Sequence, residues 1–305
     1  MTTPGPSRST GSDARHDPVL LAEVVSTLAP GSGGVYVDGT VGLGGHAAAL
    51  LEAGAGRVLG IDRDERALEI ARERLAGFGD RVELVHADYR QLPDVLARRG
   101  LGAVHGVLVD LGVSSLQLDD ASRGFSFRQA GPLDMRMDQS RGESLAEKLA
   151  AVSEAELADV IYEFGEERKS RRVARAIVEA RDRGALTSST ELASVVRRAA
   201  GGGEWQRLDP ATRTFQALRI WVNGELEGLD AFVEAAVGTL VPQGRLAVIA
   251  FHSLEDRVVK RTSRRLAADG VVRLVTRRPI VPGDEEVARN PRARSARLRA
   301  MEKVA

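Results

Sequence analysis

The sequence predicts an α/β fold, a doubly wound and mostly parallel sheet interrupted by a long helical stretch. Three observations carry that expectation. An apolar run ending in Asp38 is followed by glycines at 39, 42, 44 and 45 and then by an alanine-rich segment, which reads as a strand, a tight turn and a helix N-terminus. Four apolar runs, at 35–38, 58–62, 82–86 and 104–110, each end in or near an acidic residue: Asp38, Asp62, Asp88 and Asp110. In a parallel sheet those ends share the edge where ligands bind. Finally, no clear strand pattern occurs from about Gly112 to Gly224, after which an apolar helix and a further strand resume. Because βα connections are normally short, that stretch is expected to be an insertion.

Taken in order, residues 1–15 are polar and rich in Pro, Gly and Ser, and are expected to form a disordered tail. A helix is expected over 16–30, a strand over 35–38, a helix over 45–53 and a strand over 58–62. An amphipathic helix follows, closed by Gly77 or Gly79. Strands 82–86 and 104–110 come next. Within the insertion, helices are expected over about 143–151, 153–164 (Ser153 and Glu156 forming a capping box), 166–183, 189–200 with a stop at 201–203, and 211–223 behind Asp209-Pro210. The residues 225–240 bury an apolar face, VPQG turns the chain, and RLAVIAF forms strand five. The runs at 271–275 and 298–304 are expected to pair as an antiparallel edge.

Composition fits a folded, water-soluble chain of one large or two moderate domains: 305 residues, 43% hydrophobic and 28% charged. No apolar run reaches eighteen residues, so no membrane partner is expected, and the start lacks the apolar core of a signal peptide. With zero cysteines this points to the cytoplasm. The five histidines show no ligand spacing, so no metal is expected. Net charge is zero, yet residues 257–305 carry 14 Lys and Arg against 5 Asp and Glu. A polyanion can therefore meet the C-terminal region of a neutral protein.

Gly42, Gly44 and Ala47 satisfy the G-x-G-x-x-G/A pattern, and Asp62 is placed to bond ribose hydroxyls. That pattern fits several nucleotide-like ligands. Asp38 discriminates, since a carboxylate there repels a pyrophosphate, whereas S-adenosylmethionine brings an ammonium and a sulfonium. S-adenosylmethionine is expected over NAD. A structural turn alone is the plainer alternative.

Longer motifs are more specific: HDPVLL at 16–21, DGTVGLGGH at 38–46, IDRD at 61–64, DLGVSSLQLD at 110–119, RGFSF at 123–127, GPLDMRMD at 131–138, FGEER at 164–168, DPATRTFQALRIWVN at 209–223, FHSLEDR at 251–257 and NPRARSARLR at 290–299. Together they resemble the bacterial small-subunit (16S) ribosomal RNA cytosine-N4 methyltransferase family, from His16 nearly to the C-terminus. The resemblance implies a class I (Rossmann-like) methyltransferase sheet from segments 16–112 and 225–305, with an inserted all-helical substrate-recognition domain at 113–224. It further implies methylation of a cytosine N4 near the ribosomal P site of 16S rRNA, in the small subunit or a late assembly intermediate, with no DNA partner. By the same resemblance S-adenosylmethionine contacts Gly44, Gly45, His46, Asp62, Tyr89, Asp110 and Gln117. Tyr89 stands where many members have Phe, and Leu116 where many have Pro.

Cytosine N4 is a poor nucleophile because its lone pair is delocalised into the ring. An acceptor for the amine hydrogens helps, and a proton must leave. Asp110 is the first candidate, for proton transfer or for orientation of substrate or cofactor. His252 is the second, as a substrate contact or a structural histidine; Ser253 and Asp256 suggest a capping box. Phe125 and Phe127 either stack on an unstacked cytosine or pack the loop on the insertion. Arg213, Arg219, Arg292 and Arg294, with Arg297 and Arg299, are candidate phosphate contacts. A non-catalytic rRNA-binding assembly factor is the rival from another class, and the glycine loop with its acidic strand ends speaks against it.

Overall fold

The computed structural model describes residues 18–31, 33–201 and 209–304. The expected tail, the start of the first helix and Gly202–Gly203 lie outside the described residues.

Seven strands form one sheet: β1 Val35–Asp38, β2 Arg57–Asp62, β3 Val82–His86, β4 Val104–Asp110, β5 Leu240–Ala250, β6 Val272–Leu274 and β7 Arg297–Lys303. Their spatial order is β3-β2-β1-β4-β5-β7-β6, with the first five parallel. β7 runs antiparallel to β5, and β6 antiparallel to β7. The two late runs do pair, but β7 sits inside the sheet and only β6 is the edge. Val37, Leu59, Ile61 and Val107–Val109 have no exposed surface, as a parallel sheet covered on both faces requires.

The chain lays β2 and β3 on one side of β1 and then crosses to place β4 on the other. The C-terminal ends of β1 and β4 therefore flank the switch point, where a crevice opens because the covering connections diverge. β1 ends at Asp38 and β4 at Asp110.

Several boundaries differ from expectation for local reasons. The VPQG turn is absorbed into β5, where Gln243 takes a positive φ of 65° and the pairing with β4 slips between Val104 and Gly106. Extra residues inside a ladder are a bulge and need not end the strand. The helix expected from 166 begins at Ser170, because the preceding helix Glu154–Gly165 closes on Glu166 at φ 50°. The helix after β5, Ser253–Ala268, is capped by His252 with Glu255, one position before the expected Ser253–Asp256 box.

Between β4 and the helix Leu229–Gly238 the described residues contain helices and no strand. Leu145, Leu149, Leu157, Ile161, Val173, Ile177, Leu192, Val196 and Leu218 pack into a core of their own, joined by Phe125, Met135 and Met137 from the loop after β4. Both sheet faces have separate cores. One buried ion pair joins sheet to insertion. Arg123 Nη1 donates to Asp64 Oδ2 at 2.7 Å, with side-chain exposures of 3% and 5%. Arg123 Nη2 also donates to the carbonyls of Arg136 and Met137. Removing one partner strands the other charge in a dry setting. Arg123→Met is therefore expected to lower unfolding free energy by about 3–5 kcal/mol, and Arg123→Met with Asp64→Asn by clearly less, measured by urea denaturation.

Candidate active site

The turn after β1 is built from backbone bonds. Gly39 N–H donates to the Leu108 carbonyl, Val41 N–H to that of Ile61, and Gly42 N–H to Asp62 Oδ2 at 2.8 Å. Gly44 has φ 81°, and a β-carbon there would lie 2.9 Å from Leu75 Cδ1, so the turn and the packing of the next helix both require a glycine here. A β-carbon on Gly45 would lie 2.3 Å from Pro18. His46 Nε2 donates to the Val19 carbonyl at 2.9 Å and holds that same segment over the loop.

The cleft at the switch point has a volume of about 340 Å³. Gly45, His46, Asp62, Tyr89, Asp110 and Gln117 line it, so most of the expected cofactor residues converge there. Asp38 lies just beneath, 1% exposed. Asp62 accepts from Gly42 N–H and Asp64 N–H. Tyr89 is buried, its ring set edge-on to Phe232 at 4.6 Å, and burial pushes its phenol up to about 12. Gln117 forms a capping box with Ser114 and donates from Nε2 to Asp64 Oδ2 at 2.8 Å, which ties it to the sheet–insertion joint. Asp88 leaves the set: it caps the turn at Tyr89–Gln91 and pairs with Arg90.

Three carboxyls at this edge are electrostatically loaded. Burial pushes Asp38 up to about 7, against the N–H of Thr40 and with repulsion from Asp62. Burial, with Asp38 and Glu255 adding repulsion, lifts Asp110 well above the usual carboxylate range. Asp62 is raised by burial but restrained by the N–H groups of Asp64 and Gly42. Asp38 Oδ2 and Asp110 Oδ1 have no hydrogen-bond partner among the described residues. Thr40 Oγ1 accepts from Asp110 N–H at 2.6 Å and fixes the end of β4.

The far wall sets His252 and Arg219 against two residues the sequence did not single out, Glu225 and Glu255. His252 Nδ1 accepts from Glu255 N–H, its Nε2 lies 3.2 Å from Glu255 Oε1, and Glu255 Oε2 accepts from Phe251 and His252 N–H. Burial works to raise Glu255, but the His252 hydrogen bond and the Arg219 charge outweigh it and hold the carboxyl low. Arg219 lies mostly out of water, bidentate to Glu225, and is not a surface phosphate contact. Ligand atoms of Glu225, His252 and Glu255 fall within 4.8 Å of one another, but the Arg219 guanidinium already occupies both Glu225 oxygens. The sequence signal for Glu255 is the capping-box spacing in FHSLEDR, which fits His252 with Glu255 as well as Ser253 with Asp256.

Other substrate candidates move as well. Phe125 is 6% exposed inside the insertion core and cannot stack on a base. Phe127, only partly buried, packs edge-on against Phe215 at 4.9 Å beneath Arg197, a contact of the kind the packing alternative requires. Arg299 is buried against Asp256, whereas Arg297 also reaches Asp256 but stays exposed, as do Arg292 and Arg294. Arg292 borders the cleft and pairs with Asp119. Arg213 is exposed, 4.0 Å from Glu167.

A parallel sheet reversing at β1 and β4, an antiparallel β7 beside β5, and a glycine loop facing strand-end carboxylates define a class I methyltransferase, an enzyme that draws its methyl group from S-adenosylmethionine. The chain belongs to the MraW methylase family, whose profile matches residues 13–304. It is 55% identical over 301 residues to the ribosomal RNA small subunit methyltransferase H of Sorangium cellulosum, covering 99% of this chain and 94% of that one. It is 50% identical over 307 residues to the protein of the same name from Geobacter sulfurreducens, covering 95% and 99%.

The Asp38 carboxyl gives a pH signature. With its folded pKa near 7 and its unfolded value near 4, it keeps a proton between those limits that the unfolded chain has released, so its contribution to stability falls as pH rises from about 4 to 7. Asp38→Asn removes that slope. Urea midpoints at pH 5 and pH 8 are expected to lie closer together in the variant than in the unsubstituted protein, both without ligand.

Proposed function

We propose that this enzyme methylates the exocyclic N4 of a specific cytosine of 16S rRNA near the ribosomal P site, acting on the small subunit or a late assembly intermediate. The names of the relatives support an rRNA acceptor, and the sequence motifs support cytosine N4. The observation that carries the chemistry is the pair of buried, unpartnered carboxylate oxygens on Asp38 and Asp110. A cationic ligand satisfies such acceptors, and a pyrophosphate does not. The sheet segments 16–112 and 225–305 hold the cofactor, and the insertion 113–224 presents the substrate.

S-adenosylmethionine supplies an electrophilic methyl group on its sulfonium. Asp62 is placed for ribose hydroxyls, Tyr89 gives a ring face for the adenine, and Gly45, His46 and Gln117 close the cofactor side of the cleft. Asp110, once ionised, accepts from the N4 amine, localises its lone pair and receives the proton released by transfer. His252 holds Glu255 beside it, and both stand at the substrate end. Burial of Asp110, His252 and Glu255 keeps bulk water from the reacting atoms and makes positioning a large part of the rate.

Two measurements check this. Labelled S-adenosylmethionine and subunits lacking the modification, with digestion and mass spectrometry, are expected to show one methyl on N4 of one cytosine; Asp110→Asn is expected to cost about 10²–10⁴-fold in kcat. Tight subunit binding without transfer would instead favour an assembly factor. Separately, a cation entering beside raised carboxyls drives off their protons. Calorimetric titration of S-adenosylmethionine at pH 7, in buffers of different ionisation enthalpy, is expected to show proton release that shrinks in Asp110→Asn.

A further inference from the structure

Arg219 reaches the cleft from the helix Ala211–Asn223, the last helix before the chain re-enters the sheet domain. Its Nε and Nη2 donate to Glu225 Oε1 and Oε2 at 2.8 and 2.7 Å. A bidentate carboxylate fixes the plane of a guanidinium as well as its position. Two of five N–H donors are used, leaving Nη1 and the second proton of Nη2 for a ligand. A β-carbon at Gly112 would lie 3.9 Å from Arg219 Nη2, so the guanidinium stands beside the chain two residues past Asp110. One cleft thus offers a lone pair from Asp110 and, next to it, N–H groups in a fixed plane.

The charges around Arg219 decide what it can bind. Asp110, Glu225 and Glu255 line the same compartment. They repel a phosphate but not the neutral edge of a base. Resting on the function proposed above, we infer that Arg219, oriented by Glu225, recognises the target cytosine by donating to its ring N3 and O2 while Asp110 accepts from its N4 amine. Enzymes that act on an extruded base read its Watson–Crick edge in this manner. A uracil would set O4 against Asp110 and N3–H against Arg219, so both contacts turn repulsive or empty. Glu225 acts through Arg219 and is a positioning residue.

The test pairs a change in the base with a change in the protein. Small subunits are reconstituted with cytosine or 3-deazacytosine at the modified position and methylated by the unsubstituted protein and by Arg219→Met with Glu225→Gln, a double variant that does not strand the Glu225 carboxylate. Loss of N3 is expected to slow the unsubstituted protein about ten- to hundredfold, the worth of one charge-assisted hydrogen bond. The variant is expected to be slow on cytosine by a similar factor and to treat the two bases alike within about threefold. Losses that multiply overturn the assignment. So does a cofactor dissociation constant, read by calorimetry, that weakens in step with the rate. Should the double variant not fold, Arg219→Lys keeps the charge without the fork and must show the same loss of discrimination. Absence of N4 methylation by the unsubstituted protein on ordinary cytosine would instead sink the underlying function, and that arm reports it separately.

Discussion

Two charges removed from water, on Asp64 and Arg123, set the geometry on which the cleft depends. Asp64 follows directly on β2, and its Oδ2 accepts from both Arg123 and Gln117. Arg123 then captures two carbonyls of the loop at 136–137, and Asn223 clasps that loop from the other side, donating to the Met135 carbonyl and accepting from Met137 N–H. Burying ions is costly unless their geometry is nearly complete, so few arrangements of these segments are tolerated. That intolerance is what allows a helical insertion to deliver Arg219 to Glu225 at a sheet edge with the accuracy that chemistry demands.

Above this joint the site stores unmet electrostatic demand. Asp38 and Asp110 would each be more comfortable in water, and burial drives both toward their neutral forms. Stability is given up there for an environment already arranged around incoming positive charge, so little has to reorganise during the reaction. Glu255 shows the opposite solution at close quarters, with N–H donors and a histidine gathered around it so that it stays charged.

What the sequence made legible follows from how local each signal is. Strand ends at Asp38, Asp62 and Asp110 could be read because apolar runs and glycines punctuate them within a few residues. The insertion could be read because its helices carry caps such as Ser153 with Glu156. The partners of side chains could not. Arg219 and Arg299 look alike as basic residues in a string, yet one is held by Glu225 in the cleft and the other by Asp256 behind it. Phe125 and Phe127 read as a stacking platform or as an anchor, and the core that buries Phe125 and the Phe215 ring against Phe127 are assembled from residues far along the chain. His252 lost its apparent independence in the same way, since its ring is engaged by Glu255 three residues on.

The crossing from β4 to β5 spans the whole insertion, and parallel strands so far apart in sequence are slow to find each other because a long loop must close first. The insertion's entry at Gly112 and its exit at Glu225 border the same cleft, so in the folded protein the two ends are neighbours. β5 meets β4 as though joined by a short connector, and the helical segment between them is a closed loop that forms one wall of the active site.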